Sequence, residues 1–556
     1  MLIQVAHNAV NAKLLTDNKD IKYLLSDLLS YKIAGAEMTP KYQAGVWDGR
    51  STFFNFKKST FPAGMVQMVV SHLQKLGHQV QIIRAPIPEP KGPEQVSIPG
   101  YTRSPEYEYQ YECVDKLLKN HQMIARIATG GGKSFCAMLA TLRVGRKTLF
   151  LTTRKSLMYQ MKKHYEEIGL DVGVIGDSVM DVKPFINVGM VQTIAANLKS
   201  RTLEEETERL RELEKTKFQK IIDDKEKILN KQLATNKISL KEKFEAISKL
   251  KQQLNARAKN NSILLRAATI NCNKMRKAKA EMEKILESFE FVVAEEAHES
   301  GGNDYFEVMK HCINANYRLA LTATPFMKED EEANMRLMAC SGPIGIVVTE
   351  KELIDKGILA KPYFMFIDNL KPIGVFPTTN YTSAYDKGIV KNDLRNQQIV
   401  QWSEWAKDKS LPVLILVNRK EHGNILSKML ASKGIKNSFI YGENNEIERK
   451  HNLDLLADKS IDVLIGTNIL DVGVDVPAIG MVILAAGGKA EVQLRQRIGR
   501  GLRRKKVGPN ITYVLDFMDK FNNHLAKHSL ARQEIIKETP GFAEGIVKDF
   551  NDVRVQ

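Results

Sequence analysis

The amino-acid sequence predicts an α/β protein: two parallel-sheet domains in tandem, a small N-terminal α+β domain, and a long helical, coiled-coil-like insertion in the first parallel-sheet domain. Three observations carry this expectation. Short, predominantly apolar runs at 148–151, 291–294 and 319–321 alternate with helical stretches, and the alternation resumes at 413–417, 462–465 and 481–484. Strands that are apolar along most of their length are buried on both faces, as in parallel sheets covered by helices. The first alternation is interrupted from Met190 to Ser300, a span with neither glycine nor proline. At 556 residues the chain also exceeds what one ordinary core can organise.

The elements follow in order. Residues 1–84 form a small accessory domain with helical spacing at 21–29 and 65–76 and a turn signal at Trp47-Asp48-Gly49-Arg50 before a strand-like 51–54. Its Trp47, Arg50, Phe53, Phe54, Lys57 and Lys58 suit either a nucleic-acid surface or a small core. Residues 85–105 hold six prolines, which reads as a stiff, extended linker. The first parallel-sheet domain then runs over 106–348, the second over 349–520, and a helical tail over 521–556. Within the insertion, 201–289, Leu240, Phe244, Ile247, Leu250 and Leu254 recur at helical spacing, as do Ile221, Ile228 and Leu229. A helical hairpin reversing near Asn236 is expected, its charges forming either a solvated surface or an arm that grips DNA or a protein partner.

The net charge is +17 and the isoelectric point near 9.3, which fits a polyanionic partner or a merely soluble basic protein equally well. The five cysteines are scattered, with no two at metal-ligand spacing, so neither a zinc site nor a disulfide framework is expected. No run of about 18 apolar residues occurs, so a membrane partner is not expected and a cytoplasmic location is.

Chemistry enters at Thr129-Gly130-Gly131-Gly132-Lys133-Ser134, between an apolar strand and a helix. Glycines let the backbone curl its N–H groups toward phosphate oxygens, and the helix N-terminus adds a favourable dipole. Lys133 is placed for the β- and γ-phosphates of ATP, and Ser134 for Mg²⁺. Ile127 stands where the general phosphate-loop pattern has its first glycine. The apolar 291–294 ends in Glu295-Glu296-Ala297-His298, which sets carboxylates at a strand's C-terminal end beside that loop. Phosphoryl transfer asks for one carboxylate on Mg²⁺ and another to position or deprotonate water. Residues 495–506 include seven Lys or Arg, too many for an ordinary helix start.

On these residues the chain resembles the superfamily 2 helicases over most of 106–520. The resemblance implies two RecA-like domains. It assigns Mg²⁺ to Glu295, where aspartate is usual, and the catalytic base to Glu296, with His298 on the nucleotide side. Leu321-Thr322-Ala323-Thr324-Pro325 resembles the coupling motif. Gln110, 23 residues ahead of Lys133, resembles the adenine-reading glutamine. Residues 466–477 resemble the fifth motif, implying Thr467 on nucleic acid and Gly473 and Asp475 on nucleotide. Residues 496–504 resemble the sixth, with Gln496 on nucleotide and Arg500 and Arg503 as fingers onto the phosphates. Arg154, Gln192 with Thr193, and Arg419 resemble nucleic-acid contacts at strand ends. Residues 45–50, 352–362 and 524–528 resemble a phage branch that unwinds, rewinds and branch-migrates DNA. The expected partners are ATP, Mg²⁺ and single-stranded or branched DNA. An RNA helicase and an ATP-dependent loading module are the alternatives.

Overall fold

A computed structural model describes residues 1–235, 237–258, 261–297, 303–326, 330–442, 444–467, 479–488, 498–499, 501–505 and 508–553. They fall into two compact units, Met1–Met190 with Phe289–Gln556, and Val191–Ser288.

The first unit opens with β1 (Leu2–His7), β2 (Asn11–Leu15), β3 (Ser30–Lys32), β4 (Arg50–Thr52), β5 (Thr60–Pro62) and β6 (Gln79–Arg84). Four of them form a sheet in the order β5-β2-β1-β6, with β1 antiparallel to β2 and parallel to β6. The helix Lys19–Leu28 starts at Asn18, whose side chain accepts from the Asp20 and Ile21 N–H groups, the usual way of satisfying first-turn donors. Its Ile21 and Leu25 join Ile3, Val5, Phe54 and Val69 in one core. Phe54 thus fills the interior, while Trp47 stays half-buried and donates its indole N–H to the Arg50 carbonyl at 2.7 Å.

The proline-rich segment is more than a spacer, because it is fastened to the domain that follows it. The Lys91 N–H donates to the Val144 carbonyl at 2.9 Å, Tyr317 Oη to the Pro88 carbonyl at 3.0 Å, and Arg146 Nε to the Glu89 carbonyl at 2.9 Å. Gly92 lies so close to the Leu142 and Arg143 carbonyls that a Cβ would strike both.

Next come β7 (Gln122–Ile127), β8 (Thr148–Thr152), β9 (Val172–Gly176), β10 (Val179–Asp181), β11 (Ile186–Met190), β12 (Phe291–Glu295), β13 (Tyr317–Thr322) and β14 (Ile344–Val348). They form one sheet ordered β10-β9-β11-β8-β12-β13-β7-β14, parallel except for β10. Their burial on both faces explains the apolar runs: every residue of β8, β12 and β13 is buried. A second sheet is wholly parallel, ordered β15-β20-β19-β16-β18-β17. Its strands are β15 (Lys361–Asp368), β16 (Val413–Leu416), β17 (Asn437–Ile440), β18 (Val463–Gly466), β19 (Met481–Ile483) and β20 (Ile511–Met518).

A buried polar cluster ties helices to this second sheet. Arg532, on the helix Asn523–Glu538, holds Asp516 with Nε at 2.9 Å and Nη2 at 3.0 Å, and donates to the Gly488 and Phe517 carbonyls. Arg395 donates to the Ala485 carbonyl and lies 3.6 Å from Asp519, while Tyr385 donates to the Ala486 carbonyl. His422 donates through Nε2 to Asn396 Oδ1 at 2.9 Å.

The second unit consists of the helices Val191–Leu198, Leu203–Ala234, Leu240–Ala258 and Asn261–Glu287. Thr202 and Glu205 form a reciprocal capping box at the start of the longest. Leu229, Ile247, Leu264, Ala268 and Cys272 are buried. Glu206 is also buried, and its hydrogen bonds from Arg209, with Asn271 and Arg201 adding to them, hold its carboxyl down near pKa 2. Asn236, the expected reversal, lies outside the described residues. No described helix is long and apolar enough to cross a membrane.

Burial, reinforced by the nearby Arg395 charge, lowers the His422 pKa to about 3, so the folded chain keeps this imidazole neutral. An unfolded chain takes up the proton below about 6.5. The stabilisation is therefore complete above 6.5 and is lost as pH falls toward 3, amounting to about 2 kcal/mol by pH 5. Thermal unfolding from pH 7.5 to 5 is expected to show wild type losing stability that His422→Gln retains; parallel curves would count against this.

Candidate active site

The loop between β7 and the helix Lys133–Val144 is curled by its glycines. Gly130 and Gly132 have φ of +86° and +75°, a region that costs other residues energy. Gly131 packs so closely on Ile127 that a Cβ would come within 2.6 Å of its Cγ2. Ile127, in the place of the first glycine, is thus a wall of the turn. The Gly131 carbonyl accepts from Tyr109 Oη at 2.7 Å and from Gln110 Nε2 at 3.4 Å, and Gln110 also abuts Gly132. Lys133 is buried at the start of its helix.

Opposite the loop, β12 delivers Glu295 and Glu296. Only β13 separates β12 from β7, so the C-terminal ends of both open onto the same side. Ser134 Oγ donates to Glu295 Oε1 at 3.4 Å. Burial pushes the Glu295 carboxyl up to about 7, helped by the neighbouring Glu296 charge and opposed by Lys133 and Ser134. Its Oε2 is buried with no hydrogen-bond partner among the described residues, as is Thr129 Oγ1. Glu296 has φ of +49°, rare for a residue with a side chain and a form of strain that concentrates at functional positions.

The second domain closes over this face. A Cβ on Gly499 would sit 2.7 Å from Thr129 Cβ, and one on Gly130 would sit 2.7 Å from Leu359 Cδ2. Leu359 pairs with Arg503 in an isolated β-bridge. The result is a cleft of roughly 490 Å³ lined among others by Tyr107, Lys133, Glu295, Glu296, Arg154 and Arg503. Arg154, expected on nucleic acid, therefore faces the same space as Lys133. Among the described residues no three His, Cys, Asp or Glu side chains converge as a metal site.

The remaining expected residues are dispersed. Gln192 and Thr193 lie in the first turn of Val191–Leu198, in the second unit. Arg419 precedes the helix Lys420–Ser432, its guanidinium 4.8 Å from the Tyr385 ring centroid and 3.3 Å from Asp386 Oδ1. Thr467 is half-buried just after β18. His298, Gly473, Asp475, Gln496 and Arg500 lie outside the described residues. Sequence reasoning missed Tyr107, Tyr109, Leu359 and Gly499. Tyr109 adjoins Gln110, and Leu359 and Gly499 lie within the resembling segments 352–362 and 496–504, but none of these was singled out by its residue type.

Three family descriptions match in succession: "DNA helicase UvsW, N-terminal" over residues 3–83, "Type III restriction enzyme, res subunit" over 104–327, and "Helicase conserved C-terminal domain" over 395–505. The chain is a superfamily 2 helicase. Helicase 22 of Sulfolobus islandicus filamentous virus is 25% identical over 284 residues, 48% of each chain. The mitochondrial ATP-dependent helicase irc3 of Schizosaccharomyces pombe is 24% identical over 245 residues, 42% of this chain and 38% of that one. The matched region thus spans about half or less of the curated relatives' length. The solved structure of UvsW from bacteriophage T4 aligns over 99% of both chains at 16% identity with a TM-score of 0.42.

Gly499→Ala in this helicase is expected to raise the KM for ATP about tenfold, a loss of about 1.4 kcal/mol in binding, with thermal stability unchanged. An unaltered KM would show that Gly499 and Thr129 need not approach during turnover.

Proposed function

We propose that this helicase hydrolyses ATP to translocate on DNA and remodel forked and junction DNA by unwinding, annealing or branch migration. The observation that carries the reading is one cleft shared by the phosphate loop, the Glu295-Glu296 pair and the arginine-bearing second domain. The unpartnered Thr129 Oγ1 and Glu295 Oε2 suit a magnesium nucleotide, which brings both a cation for the carboxylate and phosphate oxygens for the hydroxyl. Two protein oxygens, Ser134 Oγ and a Glu295 oxygen, are the expected Mg²⁺ ligands, in keeping with a metal that is bound largely through phosphates and water. Mg²⁺ supplies charge neutralisation for the phosphates.

In this reading Lys133 and the loop N–H groups hold the phosphates, and Gln110 reads the base. Glu296 takes the proton of the attacking water. Arg503, with Arg500, neutralises charge from the second domain, so hydrolysis requires the two sheets to be together. Loss of the phosphate releases that constraint, and alternate closure and opening moves the strand. The basic balance of the chain and its three family matches support a polynucleotide track; DNA rather than RNA follows the match at 3–83.

Lys133→Ala and Glu296→Gln are each expected to lower DNA-stimulated ATPase at least 100-fold, Glu296→Gln while retaining ATP binding. Stimulation that survives either change would remove the motor reading, and stimulation by RNA but not DNA would reassign the track.

A further inference from the structure

The positive charge of the chain is concentrated in one place. Residues 227–279 hold fourteen Lys or Arg against two Asp or Glu, a surplus of +12 out of +17 for the whole protein. The stem of the same insertion, residues 201–226, holds seven basic and nine acidic residues. The two regions also differ in pairing. In the stem Arg201 and Arg209 contact Glu206, and Arg211 contacts Glu208. Beyond it the two end lysines are paired, Lys227 with Asp224 at 3.6 Å and Lys279 with Glu283 at 3.9 Å, whereas Lys231, Lys237, Lys249, Lys251, Lys274 and Lys277 are exposed and none of them is ion-paired among the described residues. A solvated helix surface ordinarily interleaves both signs, since opposite charges three or four residues apart stabilise it and like charges do not. Here the carboxylates are withheld from three-helix packing that is otherwise well built around Leu229, Ile247 and Leu264.

We propose that residues 227–279 are a docking arm for the phosphate backbone of double-stranded nucleic acid. Unpaired cations at high density gain free energy by displacing the counterions condensed on a duplex. The span contains a single aromatic residue, Phe244, so it lacks the stacking platform with which proteins hold unpaired bases. The helices Leu240–Ala258 and Asn261–Glu287, of 19 and 27 residues, are about 28 and 40 Å long, the reach of roughly 8 to 12 base pairs. The arm goes beyond the proposed motor in needing neither ATP nor the cleft, and it would give the protein a grip on a duplex that the motor is not itself traversing.

Binding of the full chain to a 30-base-pair duplex and to oligothymidylate, without ATP and across 50–200 mM salt, tests this by fluorescence anisotropy. Replacing Lys231, Lys237, Lys249, Lys251, Lys274 and Lys277 by Gln is expected to weaken duplex binding at least about tenfold and to reduce the slope of log K against log salt by about three to five. Replacement by Arg is expected to preserve both, and ATPase without nucleic acid and helical content are expected to stay unchanged. Wild-type affinity and slope in the Gln variant would overturn the proposal. So would equal loss of oligothymidylate binding, or loss confined to phosphatidylserine vesicles or to a protein partner. Lys133→Ala in the same assay is expected to bind duplex normally, so a failed motor reading and a failed arm are told apart.

Discussion

Glu295 is a carboxyl buried beside a second carboxylate and a single lysine, and much of the architecture serves to keep it there. A buried carboxyl is tolerated when it is neutral or compensated. In the folded chain Lys133 and Ser134 compensate it only in part, which leaves one oxygen without a partner among the described residues and the group only partly ionised near pH 7. The eight-stranded sheet maintains this arrangement by holding β7 and β12 one strand apart, so that the glycine loop and the carboxyl lie at the same edge. The magnesium nucleotide proposed above would resolve these unsatisfied electrostatics.

The second domain meets this site through atoms of small size. Gly499 and Gly130 permit backbone and aliphatic contact across the cleft where any side chain would hold the sheets apart. Binding across such a boundary is sensitive to fractions of an ångström, which suits the opening and closing proposed for this site. Behind it, Arg395, Tyr385 and Arg532 hold three carbonyls of the stretch from Ala485 to Gly488. That stretch precedes, in sequence, the basic segment at 495–506, of which Gly499, Arg503 and Arg504 line the cleft.

The strands of both sheets were legible because a doubly covered strand is apolar along most of its length: 148–151 and 291–294 lie within β8 and β12. The curled loop was legible because only glycine accepts the φ values at 130 and 132. Other features left no such trace. The fastening of residues 85–105 runs largely through backbone carbonyls, which every residue possesses, so six prolines looked like a spacer. Leu359 and Gly499 matter through their distance from another domain, and neighbours remote in sequence are invisible to periodicity. Arg154 was expected on nucleic acid from its place after a strand; the structure adds that it lines the same cleft as Lys133, which spacing does not reveal. The charge surplus was visible as a total; its meaning emerged from which cations had carboxylates beside them.

The fastened proline segment also bears on mechanics. Gln122 at the head of β7 donates to the Ala9 carbonyl, Gly64 is pressed against the Met338 and Ala339 carbonyls, and Phe53 meets Phe306 edge-on. Together with the strap across Val144 and Tyr317, these contacts make the N-terminal sheet and the first parallel sheet a single chassis. In the proposed motor cycle the N-terminal sheet therefore travels with the glycine loop, and the second sheet is the part that moves relative to both.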